Sequence, residues 1–185
     1  MAISAFAAVL DLARRGDDWA HGQLYREYAP AVLGYARSHG TTDPENVVGE
    51  VFVAVLRSLH RFSGDEPAFR SWLFTLAHHR LVDEQRRCAR RPEDATDPAV
   101  LATRAPRHTA ALETDTLDPV ASARLRTALD HLTPDQREVL TLRILADLPV
   151  DAVARVVGKA AGAVKMLQRR ALDAMARELT LEAVT

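Results

Sequence analysis

The chain has 185 residues, a hydrophobic content of 48%, an aromatic content of 5% and a formal net charge of -1. That apolar content can fill the cores of one or two globular domains, and the scarcity of aromatic residues favours helices over β-sheet. The near-neutral charge excludes a uniformly basic nucleic-acid binder, and the single cysteine, Cys88, excludes an internal disulfide. No apolar run approaches the roughly 20 residues that cross a bilayer, so we expect a cytoplasmic protein without membrane insertion.

Residues 1–91 predict the first helical domain. Asp43 and Pro44 are a typical N-cap and first-turn pair, and they precede an apolar stripe at helical spacing. The stripe consists of Val47, Val48, Val51, Phe52, Val55, Leu56 and Leu59. The segment Ser63-Gly64-Asp65 then interrupts the helix, and Pro67 begins the next one.

The helix after Pro67 changes character along its length. Phe69, Trp72, Leu73 and Leu76 give its first half an apolar face, which predicts core packing for the two aromatic rings rather than stacking on bases. Its second half is basic, with Arg80, Arg86, Arg87, Arg90 and Arg91 outnumbering Asp83 and Glu84. These arginines are either a nucleic-acid contact or a solvated helix end, and Asp83 is better explained as an ion-pair partner than as a catalytic acid.

Residues 92–119 predict an acidic, flexible linker. The segment holds four prolines and six acidic residues against two arginines, and no helical stripe of apolar residues runs through it. Such a composition favours an extended and mobile tether.

Residues 120–185 predict a second helical domain. Thr133-Pro134-Asp135-Gln136 matches a capping box, and it starts a helix through Val139, Leu140, Leu142 and Ile144. The segment from Pro149 to Arg170 then has the pattern of a helix-turn-helix, in which Ala154 permits close approach, Gly158 supplies the turn and Val164 fills the shared core. Leu167, Leu172 and Met175 are expected to continue the apolar side of the last helix.

Charge distinguishes this helix-turn-helix from an ordinary helical hairpin with a solvated face. Lys159, Lys165, Arg169 and Arg170 follow the turn without an acidic residue between them. The last helix can therefore lie against double-stranded DNA without repulsion from phosphates. The overall prediction is an all-α fold of two small helical domains joined by a flexible linker, with the helix-turn-helix in the C-terminal domain.

Two blocks of sequence resemble the extracytoplasmic-function family of RNA polymerase sigma factors. In the first domain, LYREYAPAVLGYA, PENVVGEVFVAVLRSLHRF and FRSWLFTLAHHRLVDEQRR resemble the family's second conserved region. In the second domain, LDHLTPDQREVLTLRILADLPVDAVARVVGKAAGAVKMLQRRAL resembles the fourth region. The resemblance implies an alternative sigma factor that directs bacterial core RNA polymerase to specific promoters and performs no enzyme chemistry of its own.

The partners follow from the same resemblance. The first domain would bind the clamp helices of the largest polymerase subunit and the single-stranded -10 element, and the second would bind the flap and the duplex -35 element. An anti-sigma factor is implied as a regulator, because an inhibitor can clamp two tethered domains. No cofactor is expected.

Site residues can be assigned on this basis. For the -10 strand, a non-helical pocket and a cationic track are expected from Phe62, Ser63, Gly64, Asp65, Arg80, Arg86 and Arg87. For the -35 duplex we expect Lys159, Lys165, Gln168, Arg169 and Arg170. For polymerase docking the family pattern falls on Asn46, Gly49 and Glu50, of which Asn46 and Gly49 depart from the usual acid and glutamine. On the reading helix, Ala163, Met166 and Leu167 replace the family's common threonine, serine and arginine, so a promoter preference does not carry over.

Two other functions remain open. The chain could be a stand-alone DNA-binding regulator that uses its first domain to dimerise, or a degenerate relative that only sequesters an anti-sigma factor or the polymerase core. A metal site at His78, His79 and Cys88 is not expected, because adjacent histidines point to different helix faces and no acid or second cysteine completes a ligand set. No paired carboxylates, nucleophile elbow or phosphate loop provides a catalytic site.

Overall fold

The computed structural model describes residues 5–89 and 127–181, and every regular element in these two ranges is helical. The first range contains α1 (Phe6–Arg14), α2 (Asp18–Ser38), α3 (Pro44–Ser58), a 3₁₀ turn (Leu59–Arg61) and α4 (Glu66–Ala89). The second contains a helical turn at 127–130, α5 (Pro134–Ile144), α6 (Val150–Val157) and α7 (Ala161–Leu181). The all-α prediction is confirmed, whereas the predicted linker 92–119 lies outside the described residues.

Local capping signals define where the helices begin. The Asp43 carboxylate accepts a hydrogen bond from the Asn46 amide at the start of α3. The Thr133 hydroxyl and the Gln136 side chain form a reciprocal capping box at the start of α5. Both pairs satisfy amides that the first helical turn leaves without partners, as the sequence predicts.

The N-terminal domain is built around buried aromatic side chains. Phe69 is fully buried, and its ring packs against Phe6, Tyr28, Phe62 and Trp72 at centroid distances of 5.2 to 5.7 Å. The apolar face of α3 closes this core through Val47, Val51 and Val55. The predicted role of Phe69 and Trp72 in core packing therefore agrees with their contacts.

Three apolar residues of the predicted helices lie at the surface. Leu56, Ile144 and Leu172 are 45%, 62% and 48% exposed, whereas Ala171 is fully buried in place of Leu172. Each lies at the edge of its apolar stripe, where helical spacing allows burial but no neighbouring element within 5–89 or 127–181 covers the side chain. The expectation that Leu56 and Leu172 belong to buried apolar faces was therefore wrong.

The two domains pack against each other. Helix α6 lies along α4, and α5 approaches α2. The main apolar cluster continues across this contact, from Phe74 and Leu81 of α4 to Leu142 of α5 and Val153 of α6. The Arg70 guanidinium adds an ion pair of 2.9 Å to Asp147, which precedes α6. The main core thus spans both domains, while Leu132, Leu140 and Ala171 form a second, smaller cluster within the C-terminal domain.

Candidate nucleic-acid interface

The helix-turn-helix has the geometry that its sequence predicts. Gly158 ends α6 in the left-handed conformation, with φ of 67° and ψ of 29°, and the Lys159 amide donates a hydrogen bond back to the Ala154 carbonyl. Val164 is fully buried at the start of α7, between the two helices of the motif. These contacts fix α7 relative to α6 and leave the outer side of α7 open.

A cationic face lies on that outer side. Lys165, Gln168 and Arg169 share one side of the helix and, with Leu172 and Asp173, line a shallow hollow of about 340 Å³. Lys165 and Arg169 are exposed, and the nearest acid, the Asp173 carboxylate, is 3.8 Å from Arg169 Nε. An exposed helical face with cations and an amide carries the side chains that contact phosphates and base edges in a DNA major groove.

The two other predicted duplex contacts lie to the side of this face. Arg170 is exposed but is rotated by about 140° from Lys165 around the helix axis. Lys159 lies before α7, and its ammonium is 2.9 Å from the Asp135 carboxylate at the start of α5. Lys159 and Arg170 could contact the DNA backbone at the margins of the groove but could not read the same bases as Lys165.

The predicted strand pocket is a tight loop between the 3₁₀ turn and α4. The Phe62 ring stacks on Trp72 with a centroid distance of 4.9 Å and an interplanar angle of 22°, and Arg14 donates a hydrogen bond to the Phe62 carbonyl. The Asp65 carboxylate accepts from the Ala68 amide and caps α4. Ser63 and Gly64 are exposed between them. Of the four residues, Phe62 and Asp65 are therefore already engaged, in ring stacking and in helix capping.

The predicted cationic track follows α4, but its arginines differ in availability. The Arg80 Nε forms an ion pair with the Glu50 carboxylate of α3. Arg86 and Arg87 are exposed, and both interact locally with Asp83, at 3.8 Å from its carboxylate and 3.3 Å from its carbonyl. Arg86 and Arg87 can reorient towards a phosphate at little cost, since exposed ion pairs are weak.

The predicted polymerase-docking residues lie together on α3. Asn46 and Gly49 are exposed, Glu50 is partly exposed, and the same side of the helix continues with Val53 and Leu56. These two apolar side chains are 47% and 45% exposed. A mixed polar and apolar helical face of this kind is typical of a docking surface.

A polar cluster lies between the domains, where the sequence indicated none. The Glu138 carboxylate of α5 accepts a hydrogen bond from the Tyr35 hydroxyl at 3.0 Å. The same oxygen, Oε1, lies 2.7 Å from His78 Nδ1 on α4 and 3.4 Å from His39 Nε2 at the end of α2. The sequence showed no acid that would complete a ligand set with His78, whereas the structure brings Glu138 to it from the other domain, 60 residues along the chain.

Burial and charge oppose each other in this cluster. Burial by itself raises the pKa of the Glu138 carboxyl, but hydrogen bonds and positive charge from His39 and His78 outweigh burial and hold the pKa well below its ordinary value. Burial, assisted by the Glu138 charge, raises the pKa of the Tyr35 phenol well above its ordinary value. Glu138 is therefore an anion that depends on its partners from the first domain.

Two conserved-region families match the chain in the order of the two domains. Sigma-70 region 2 matches residues 24–91, and Sigma-70 region 4 matches residues 122–175. The chain is 34% identical over 173 residues to the extracytoplasmic-function (ECF) RNA polymerase sigma factor BldN of Streptomyces coelicolor, covering 92% of this chain and 64% of BldN. It is 29% identical to the ECF sigma factor ShbA of Streptomyces griseus, covering 92% of this chain and 93% of ShbA. The chain belongs to the extracytoplasmic-function family of sigma factors.

Solved structures agree with this assignment. The structure of CnrH in complex with the cytosolic domain of CnrY has a TM-score of 0.64 and 26% identity, covering 96% of this chain and 99% of CnrH. Sigma factors are non-enzymatic initiation subunits that bind core RNA polymerase and promoter DNA, so the predicted class, an alternative sigma factor rather than an enzyme, is confirmed. None of the helices in the described ranges combines the length and apolar content needed to cross a bilayer.

Proposed function

We propose that this chain directs bacterial core RNA polymerase to a set of promoters from the cytoplasm. Residues 1–91 would act as the polymerase- and -10-binding domain, 92–119 as the tether and 120–185 as the -35-binding domain. The face of α7 formed by Lys165, Gln168 and Arg169 carries this proposal, since it presents two exposed cations and an amide, whereas Val153, Val156 and Val164 are buried in the core.

On this proposal, strand capture and polymerase docking fall to the first domain. Arg86 and Arg87, with the Ser63-Gly64 loop, would contact the melted strand, because they are exposed at the two ends of α4. The α3 face around Asn46, Gly49 and Glu50 would contact the polymerase clamp, with Val53 and Leu56 supplying apolar area. An anti-sigma factor is a further proposed partner, supported by the complex of the related CnrH with the cytosolic domain of CnrY.

The spacing of the two promoter elements limits how close the two domains can be when both are bound to DNA. Elements centred about 25 base pairs apart are separated by about 85 Å in straight B-form duplex. Helix α7, with its 21 residues, is only about 32 Å long, and the two domains are in direct contact. The domains must therefore separate when the chain binds both elements.

The test is initiation from a promoter library by core polymerase reconstituted with the full chain. We expect transcripts that depend on the added chain and share two upstream elements. Lys165→Ala and Arg169→Ala should each reduce the use of those promoters by about 5- to 150-fold, which is the range for losing a base contact worth about 1–3 kcal/mol. Arg177→Ala, an exposed arginine near the other end of α7, should change little.

Two results would contradict the proposal. Folded chain that gives no dependent transcripts with active core enzyme would exclude the sigma activity and favour a sequestering role. Sequence-specific binding to duplex DNA at full strength without polymerase would favour the stand-alone regulator.

A further inference from the structure

Three side chains from three helices meet between the two domains with metal-ligand chemistry. His39 Nε2, His78 Nδ1 and a Glu138 carboxylate oxygen all lie within 4.8 Å of one another. Two imidazole nitrogens and one carboxylate are a ligand set that binds Zn²⁺ and related transition metals. The set is complete only when the domains are in contact, because Glu138 comes from α5 and the histidines come from the first domain.

The hydrogen bond at Nδ1 of His39 sets the tautomer of the neutral ring. In that tautomer Nε2, the nitrogen that faces Glu138, carries no proton. His39 Nδ1 lies 3.0 Å from the Tyr35 carbonyl, and a carbonyl can only accept, so Nδ1 carries a hydrogen. A neutral His39 therefore presents the lone pair of Nε2 to the Glu138 carboxylate, at 3.4 Å. Two electron pairs facing each other need a cation between them, either a proton on Nε2 or a metal ion.

The spacing of these atoms suits an ion after a small adjustment. Ligand atoms about 2.0–2.1 Å from a tetrahedral zinc are about 3.3 Å apart. The His39–Glu138 distance of 3.4 Å already matches, while His78 Nδ1 and Glu138 Oε1, now 2.7 Å apart, would have to separate slightly. In doing so, the proton shared by His78 and Glu138 would leave to solvent as the metal arrives.

There is also room for a fourth ligand. A cavity of about 320 Å³ opens onto both histidines and Glu138. Among the described residues that line this cavity, Arg137 supplies a guanidinium, which donates to the Leu129 carbonyl at 2.8 Å and so is held in the C-terminal domain. Water can therefore reach the fourth position of a tetrahedral site.

We propose that His39, His78 and Glu138 form a Zn²⁺ site that bridges the two domains. Zinc at this position ties α2 and α4 to α5 and holds the domains in contact. The site itself does not depend on the sigma activity. Its effect on transcription does, since a chain held in this arrangement cannot span both promoter elements, so zinc would inhibit initiation.

Titration of Zn²⁺ alone into the metal-free full-length chain tests the site, with a chromophoric chelator as competitor. We expect one zinc per chain, and at least about tenfold weaker binding in each of His39→Gln, His78→Gln and Glu138→Gln. His79→Gln is the matched control, because His79 is adjacent to His78 but exposed on another side of α4. Circular dichroism would show that each variant remains folded.

Co²⁺ supplies a second readout that identifies the ligands. A tetrahedral nitrogen and oxygen site gives visible ligand-field bands without the intense near-ultraviolet charge-transfer band of a thiolate, and Cys88→Ser should leave the spectrum unchanged. The proposal is overturned if the chain fails to bind zinc stoichiometrically, if the three ligand variants bind as tightly as His79→Gln, or if a thiolate band appears. None of these measurements contains polymerase, so their failure is distinct from failure of the sigma assignment.

Discussion

Arg137 is a buried charged residue whose main partners are backbone carbonyls, with the Asp130 carboxylate 4.0 Å from its guanidinium. Its side chain is almost fully enclosed, and its guanidinium donates to the carbonyls of Leu129, Asp130 and Leu132 at 2.8 to 3.4 Å. Leu129 and Asp130 belong to the helical turn at 127–130 and Leu132 follows it, so Arg137 closes the end of that helix. Burial lowers the pKa of the guanidinium, and the negative charge of Asp130 opposes that shift.

Replacing this residue should therefore destabilise the C-terminal domain. Arg137→Ala leaves buried carbonyls without donors, and we expect a loss of about 2–3 kcal/mol in the free energy of unfolding. Urea unfolding followed by circular dichroism measures the loss. Arg155→Ala, on the exposed side of α6, is the control and should change stability by less than about 0.5 kcal/mol. Equal effects of the two variants would show that Arg137 is not a structural donor.

Substituting two glycines of the helix-turn-helix by alanine distinguishes the effect of backbone strain on stability from that of helix propensity. Gly158 has a positive φ and Gly162 lies in the first turn of α7, and a Cβ at either position would meet no atom within 4 Å. Gly158→Ala should cost about 1–2 kcal/mol, because an L residue is strained in the left-handed region. Gly162→Ala should instead stabilise by about 0.5–1 kcal/mol, because alanine favours a helix. Thermal unfolding of the two variants in parallel would reveal opposite shifts, and shifts of the same sign would contradict the turn geometry.

At the scale of whole elements, the sequence predicts where helices begin but not how wide their buried sides are. Asp43, Thr133 and Gly158 interact with residues only a few positions away. The local sequence is therefore enough to predict the capping and turn geometry. Whether Leu56 and Leu172 are buried depends on whether another element covers their side chains, and helical spacing does not contain that information. A loop can be predicted at 62–65, but not the stacking of Phe62 on Trp72 or the pairing of Arg80 with Glu50.

The contact between domains is a property of the whole molecule that no local pattern indicates. Glu138 is separated by 60 residues from His78 and by 99 from His39, and the intervening segment has the composition of a tether. In the sequence, Glu138 is one more acid on an amphipathic helix. Only the packing of α5 against α2 places its carboxylate among Tyr35 and the two histidines.

Acid should weaken this contact. Three titratable groups face Glu138: Tyr35 and His39 from α2, and His78 from α4. Because the folded-state pKa of Glu138 lies below its unfolded value, its contribution to stability is complete above about pH 4.5 and is lost as the pH falls further. The difference in urea midpoint between the unsubstituted chain and Glu138→Gln should therefore shrink between pH 6 and pH 3.

An exposed carboxylate provides the comparison for this measurement. Glu45, which pairs with Arg37 at 3.1 Å, has a side chain that is 64% exposed. Glu45→Gln should shift the midpoint little at either pH, since solvent screens such pairs. A pH dependence as large as that of Glu138→Gln would assign the acid sensitivity to general charge rather than to the domain contact.

The ion pair between Glu50 and Arg80 links the proposed polymerase-docking face to the proposed strand-binding track. The Glu50 carboxylate of α3 neutralises Arg80, the first arginine of the predicted cationic track, so the free chain offers fewer positive charges there than its sequence suggests. If polymerase attracts Glu50 to a cation of its own, Arg80 is released at the moment of attachment. Recruitment would then precede strand capture, and an unattached factor would have little hold on melted DNA elsewhere in the chromosome.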